Sequence, residues 1–278
     1  MNKRRFRTSF ALAVLCLAAL AGCSSHGKSS SPTFAKLVRI APHVRLWIQC
    51  TGTGPTVLAD NGLGIPTQAW AGVRAQARHV RFCAFDRAGL GRSDVRPCAC
   101  GTLERNVADI HALIRAAGLK RPVVFAGHST GGLDALLYAR TYPADVDGLV
   151  LVDSPSESAP KPASALDDGN TRLDFASGLR ELRQSRDLGD LPVIVISHGR
   201  RTFSTERAER SWTHMQRQLA RDSSNTLRVI ALDSRHVIQD DQPALVAAAI
   251  DEAAADFPKK KRLHCAPAFA ANHGRCVG

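Results

Sequence analysis

Apolar residues fall along this chain in short blocks of two different periods. One kind is continuous: Thr56–Asp60, Val80–Phe85, the run from Pro122 to Ala126, Val146–Val152, Leu191–Ser197 and Thr226–Leu232. Runs of this length, rich in Val and Ile and bounded by Gly, Pro or Asp, predict strands buried on both faces. Ala35–Ile40 and His43–Cys50 read as two further strands ahead of them. The other kind, Pro66–Gln76, Thr102–Ala117, the Ala/Leu-rich stretch from Leu133 to Arg140 and Pro243–Phe257, reads as helical. Thr102 is placed as an N-cap with Gly118 just beyond that helix, and Pro243 opens the last one. Strands alternating with helices imply a mostly parallel sheet covered on both faces.

Two segments interrupt this rhythm. Ser154–Asp190 is rich in Pro, Ser and Asp, and its second half, Arg172–Arg186, reads as helical. An excursion of that length in a compact domain predicts a small cap over the carboxyl edge of the sheet. Thr205–Arg221, with Trp212, Met215 and Leu219 at helical spacing, reads as a second insertion, packed on the core.

The most informative local pattern is Gly127-His128-Ser129-Thr130-Gly131-Gly132. An apolar strand runs into Gly-x-Ser-x-Gly and a helix follows at once. This is the sequence form of a nucleophile elbow, a tight turn that holds a serine strained with its hydroxyl presented. Glycine is needed on either side because strand and helix approach closely there.

The N-terminus carries a different message. Lys3, Arg4, Arg5 and Arg7 precede an apolar run from Phe10 to Ala21, the pattern of a signal peptide over residues 1–22. The run is too short to span a membrane comfortably. It ends in Leu20-Ala21-Gly22-Cys23, which resembles the bacterial lipobox. That resemblance implies a lipid on Cys23, with residues 23–34 as a flexible tether standing the domain off a bilayer. The expected location is outside the cytoplasm, anchored and facing the periplasm or cell exterior.

Composition adds little to this and removes one option. The 278 residues suffice for one α/β domain, and 44% are hydrophobic and 22% charged. The net charge is +12, but its cations are scattered and aromatics are only 5%, with no basic-aromatic stripe. Nucleic acid is therefore not an expected partner, whereas an anionic membrane surface suits the charge. Once Cys16 and Cys23 are set aside, Cys50, Cys83, Cys98, Cys100, Cys265 and Cys276 remain. An even number in an exported chain suggests disulfides. Cys265–Cys276 can staple the tail over residues 259–278, while Cys98 and Cys100 stand too close for an easy mutual bond. His264, Cys265, His273 and Cys276 follow no zinc spacing, so no metal is expected.

Four blocks together resemble the α/β-hydrolase fold over residues 35–258. They are Val57-Leu58-Ala59-Asp60-Asn61-Gly62-Leu63-Gly64, Phe85-Asp86-Arg87-Ala88-Gly89-Leu90-Gly91-Arg92-Ser93, Gly127 to Gly132, and Ser234-Arg235-His236 ahead of Gln242-Pro243. The resemblance implies a mostly parallel eight-stranded sheet, helices on both faces and the cap insertion at about residues 154–190. The strands carrying Cys50 and Cys83 are neighbours in such a fold. It implies Ser129 as nucleophile, His236 as general base, and the backbone N–H groups of Leu63 and Thr130 as an oxyanion hole. His198 ends a strand within reach of the same pocket, His128 lines it, and Asp86 and Arg87 brace the glycine loop.

The acid is the departure from the pattern. After Ser197 the family usually places Asp or Glu, but this chain has His198-Gly199-Arg200-Arg201-Thr202-Phe203-Ser204-Thr205 there. Asp153, one strand earlier, is the first candidate and Glu206 the alternative. The expected activity is hydrolysis of a carboxylic ester, or an amide or thioester, through an acyl-enzyme, on a small-molecule or lipid ester, without cofactor. Two alternatives stay open: a cofactor-free haloperoxidase or perhydrolase on the same residues, and a non-catalytic anchored binding protein.

Overall fold

The computed structural model describes residues 33–98, 100–161, 164–185, 187–259 and 261–277. The expected leader, Cys23 and the tether as far as residue 32 lie outside the described residues. In chain order the elements are β1 (Phe34–Ala41), β2 (Val44–Thr51), β3 (Thr56–Asp60), α1 (Ala71–Gln76), β4 (Arg81–Phe85), β5 (Cys100–Thr102), α2 (Leu103–Ala116), β6 (Val123–His128), α3 (Thr130–Thr141) and β7 (Val146–Val152). There follow β8 (Leu166–Asp168), β9 (Thr171–Asp174), α4 (Phe175–Gln184), β10 (Val193–His198), α5 (Glu206–Leu219), β11 (Thr226–Ala231), α6 (Ile238–Asp241), α7 (Pro243–Asp256), α8 (Pro267–Ala271) and β12 (Gly274–Val277).

The main sheet runs β1-β2-β4-β3-β6-β7-β10-β11-β12. Its six inner strands, from β4 to β11, are parallel, while β2 pairs antiparallel to β4 at one edge and β12 antiparallel to β11 at the other. The sheet has nine strands rather than the expected eight. The extra one comes from the tail: Gly274–Val277 pairs along Arg228–Ala231, and Cys265–Cys276 ties it to the preceding segment.

Strand periodicity separates two cores. Phe125, Leu149, Leu151, Val193 and Val195 face α2 and α3, whereas Val124, Ala126, Val150, Val152, Ile194 and Ile196 face α1 and α7. Alternation with a period of two, in strands that are apolar on both faces, is what a covered parallel sheet requires. Thr102 caps α2 as expected, its Oγ1 accepting from Arg105 N at 3.1 Å.

The interrupting segments differ in detail from expectation. Thr171–Asp174 is strand, not helix: it pairs with β8 and with β5 in a small three-stranded sheet, and α4 starts only at Phe175, where the Asp174 carboxylate accepts from Ala176 N and Ser177 N. α5 is not an insertion. It is the crossover that joins the parallel neighbours β10 and β11, and Met215 and Leu219 bury against the core. Cys50 bonds to Cys83 across β2 and β4. Cys98 and Cys100 bond to each other, against expectation, because a turn at Pro97-Cys98 brings their Cα atoms to 5.1 Å, within disulfide reach.

Candidate active site

Every residue of interest sits where a parallel strand ends. Ser129 follows β6, Asp153 follows β7, His198 closes β10 and His236 lies in the loop after β11. The carboxyl edge of an open α/β sheet is where such folds collect their chemistry.

Ser129 adopts φ 51° and ψ −122°, between the last residue of β6 and the first of α3. A side chain with positive φ is strained, and here the surroundings enforce it. A Cβ at Gly127 would lie 2.5 Å from Gly131 O, and one at Gly131 would lie 2.6 Å from Asn61 O. Only glycine lets the strand, the helix and the loop after β3 meet at this spacing. Asp153 is likewise held at positive φ, 44°, with its N–H bonded to Ile196 O at 2.7 Å.

The side chains converge in a line. His236 Nε2 lies 3.0 Å from Ser129 Oγ, and His236 Nδ1 lies 2.7 Å from Asp153 Oδ2. Asp153 is fully buried, and it also accepts from Trp212 Nε1 at 3.0 Å, from His198 N at 3.2 Å and from His198 Nδ1 at 2.7 Å. Burial alone would push this carboxyl up. The hydrogen bonds from His198 and His236 overcome it and hold the group down at about 2. Glu206, the alternative acid, lies on an exposed face of α5 and pairs with Arg210 at 3.0 Å. Glu209, one turn further, is the residue of α5 that points inward, to His198 Nε2 at 2.6 Å.

His128 is not an open pocket wall. It is fully buried, and its Nε2–H donates to the main-chain carbonyl of His236 at 3.0 Å. Burial and the neighbouring His236 hold its imidazole down at about 3, so it is neutral.

The loop after β3 is set by a buried ion network. Arg87 donates to Asp60 Oδ1 at 2.6 Å, to Asn61 O at 2.6 Å, to Gly62 O at 3.0 Å, and with two nitrogens to Asp168 at 2.8 and 2.9 Å. Asp168, from β8, also accepts from Gly64 N at 2.8 Å. Gly62 O is turned toward Arg87, so the Leu63 N–H of the same planar peptide points away from it. Thr130 opens α3, and its N–H is among those a helix leaves unpaired. Asp86 accepts from Arg92 N of its own loop at 3.0 Å and from Thr67 N, between β3 and α1, at 2.7 Å. Arg87 likewise reaches across to the loop after β3. Burial, and then Asp60, push the Asp134 carboxyl well above its ordinary value in this cluster of three acids around one arginine.

These features sit on an alpha/beta hydrolase fold. Residues 66–225 match the model of the alpha/beta hydrolase fold family, and the chain belongs to that family. It is 28% identical to YqjL of Bacillus subtilis over 211 residues, which cover 71% of this chain and 83% of that one. It is 27% identical over 151 residues to the 2-hydroxy-6-oxononadienedioate/2-hydroxy-6-oxononatrienedioate hydrolase of Burkholderia vietnamiensis, a stretch covering 51% of this chain and 52% of that one. A solved thermophilic esterase from Thermogutta terrifontis superposes with a TM-score of 0.60 at 21% identity, covering 82% of this chain and 99% of that one. At that identity the likeness speaks to the fold.

Sequence reasoning placed Ser129, His236 and Asp153 at positions that the fold brings into contact. It passed over Glu209 and Asp168. Their signals were weak: each is one acid among several in a polar stretch. Trp212 packs against the core as expected, and in addition its indole N–H donates to Asp153.

Proposed function

We propose that this protein is a serine hydrolase that cleaves a carboxylic ester through an acyl-enzyme, with Ser129 as nucleophile, His236 as general base and Asp153 as the acid. The observation that carries this is the unbroken hydrogen-bonded line from Ser129 Oγ through both nitrogens of His236 to a buried, ionised Asp153. A serine hydroxyl is too weak a nucleophile unaided. His236 Nε2 takes its proton as Oγ bonds to the substrate carbonyl carbon. The carbonyl oxygen gains the negative charge and is met by the N–H groups of Leu63 and Thr130. Collapse breaks the bond to the alcohol, which leaves with the proton from His236. Water then repeats the sequence on the acyl-serine and releases the acid. Asp153 holds His236 in the tautomer with Nδ1–H and offsets the charge of the imidazolium.

The signal-type leader, the lipobox resemblance at Cys23 and the three cystine pairs support an exported protein anchored at a membrane. The alternative of a non-catalytic binding protein drew on an acid without a place. Asp153 in contact with His236 takes that ground away.

Fluorophosphonate labelling of the folded, oxidised protein tests the reading, with Ser129→Ala and His236→Ala alongside. Labelling of the wild type that both variants lose supports it, and an acyl-length series of esters then defines the substrate. A folded wild type that takes no label would overturn it. Peracid formation from acetate and hydrogen peroxide, faster than ester cleavage, would favour a perhydrolase instead.

A further inference from the structure

Asp153 serves two imidazoles, and only one of them faces the serine. His198 Nδ1 lies 2.7 Å from Asp153 Oδ2, the same oxygen that His236 Nδ1 approaches at 2.7 Å. The other nitrogen of His198 lies 2.6 Å from Glu209 Oε1. A neutral imidazole has one N–H and one lone pair. Between two carboxylates, which only accept, such a ring would set a lone pair against an oxygen at hydrogen-bond distance.

Neither carboxylate is a candidate to hold the missing proton. Asp153 accepts from both imidazoles, from Trp212 Nε1 and from His198 N. Glu209 Oε2 accepts from Phe203 N at 2.9 Å and Thr202 N at 3.3 Å. Donors aimed at a carboxyl favour its ionised form. The proton therefore belongs on the ring.

We propose that His198 is a resident imidazolium, donating from both nitrogens, and that it acts as a positioning residue: it fixes Asp153 and tempers the negative charge that His236 feels. This rests on the reading of Ser129, His236 and Asp153 as the reacting set. The charged groups facing His198 are Asp153 after β7, Glu209 on α5 and, beyond Asp153, His236 after β11. The Arg200 and Arg201 side chains of its own loop donate instead to the main-chain carbonyls of Asp233, Phe203 and Ser204. Burial works against a charged ring here, but the two carboxylates outweigh it and raise the pKa of His198 above the ordinary histidine value.

Two shifts of the pH profile follow. Loss of the His198 proton at high pH leaves Asp153 and Glu209 as two unbalanced anions, which adds an alkaline limit to kcat/KM. His198→Gln removes that cation permanently, so the acidic limb moves to higher pH by about 1 unit. Glu209→Gln withdraws support for the imidazolium, and the alkaline limb moves down by about 1 unit. A residue that merely packed would lower kcat without moving either limb.

The test is nitrogen NMR of the histidine rings in the full, oxidised chain at pH 7.5, with His198→Gln supplying the assignment and kcat/KM profiles measured for both variants. Two N–H groups on His198 in the wild type, with both limbs displaced as stated, are the expected result. A single N–H on His198, or limbs that stay in place in active variants, overturns the proposal. The ring spectrum does not depend on turnover. A failed fluorophosphonate reaction would therefore sink the hydrolase reading while leaving the charge state of His198 separately measured.

Discussion

His128 and His236 stand with ring centroids 4.9 Å apart, and the first holds the second by its backbone: His128 Nε2–H donates to His236 O at 3.0 Å. The general base proposed here lies on a loop, so its ring is only as well placed as its main chain. His128, fixed at the end of β6 one residue before Ser129, measures the distance between nucleophile and base. His128→Ala is expected to lower kcat about tenfold or more through misplacement, with a smaller change in KM. His128→Gln, which keeps a donor, should recover part of the loss. Steady-state kinetics of the two variants check this; equal losses in both would remove the positioning role.

The same residue makes stability depend on pH. Its folded value of about 3 lies below the ordinary value of 6.5. Between those limits the unfolded chain binds a proton that the folded one refuses. The contribution of neutral His128 is thus fully present above about pH 6.5 and is lost progressively as pH falls toward about 3. Urea denaturation at stepped pH should show the wild type losing stability on acidification faster than His128→Gln over that window. Parallel curves would contradict the assignment.

Asp168 links the cap hairpin to the loop after β3, accepting from Arg87 and from Gly64 N. Asp168→Asn is expected to cost about 1–3 kcal/mol of stability, because a buried arginine loses one of its three carboxylate partners. It should also slow acylation several-fold, since Gly64 N loses its carboxylate acceptor and Arg87, which holds Gly62 O, loses an anchor. Thermal melts and single-turnover acylation distinguish the two effects. A variant that melts lower but acylates at the wild-type rate would make Asp168 a structural residue alone.

The three cystines should differ in worth. Cys50–Cys83 closes 33 residues in the buried sheet, Cys265–Cys276 closes 11, and Cys98–Cys100 closes 2. Chain entropy alone ranks them, with the first worth roughly 3–4 kcal/mol and the second roughly 2–3. Paired Cys→Ala variants followed by chemical denaturation should reproduce that order. The Cys98/Cys100 pair should fall last, with little change in the midpoint.

The sheet and the tight turn at Ser129 were legible because their signals are local. Short β-branched and Leu-rich stretches such as Leu149–Val152, bounded by Gly148 and Asp153, fit covered strands, and Gly127-His128-Ser129-Thr130-Gly131 states its turn in the glycines that a Cβ would violate. Asp153 was readable once the usual acid position was seen to hold His198 instead. What the chain does not announce is pairing over distance. Glu209 and Glu206 are both acids in the first turn of α5, and only the helix phase decides that one meets His198 and the other Arg210. The strand Thr171–Asp174 was masked for a similar reason: its partners are the short β5 and β8, too brief to show a period.

The pairing of β12 on β11 bears on the order in which this protein is completed. Leu232 N bonds to His273 O at 3.1 Å, and Gln242 Nε2 donates to Asn272 O at 3.0 Å, so the closing strand is laid beside the loop that carries His236. Every other strand of the sheet precedes it in the chain. A growing polypeptide therefore passes through a stage in which Ser129, Asp153 and His236 have all been synthesised while β11 still presents an unpaired edge. An open edge invites another chain. Arrival of residues 274–277, locked by oxidation of Cys265 with Cys276, ends that exposure. Completion of the sheet is thereby coupled to formation of that disulfide.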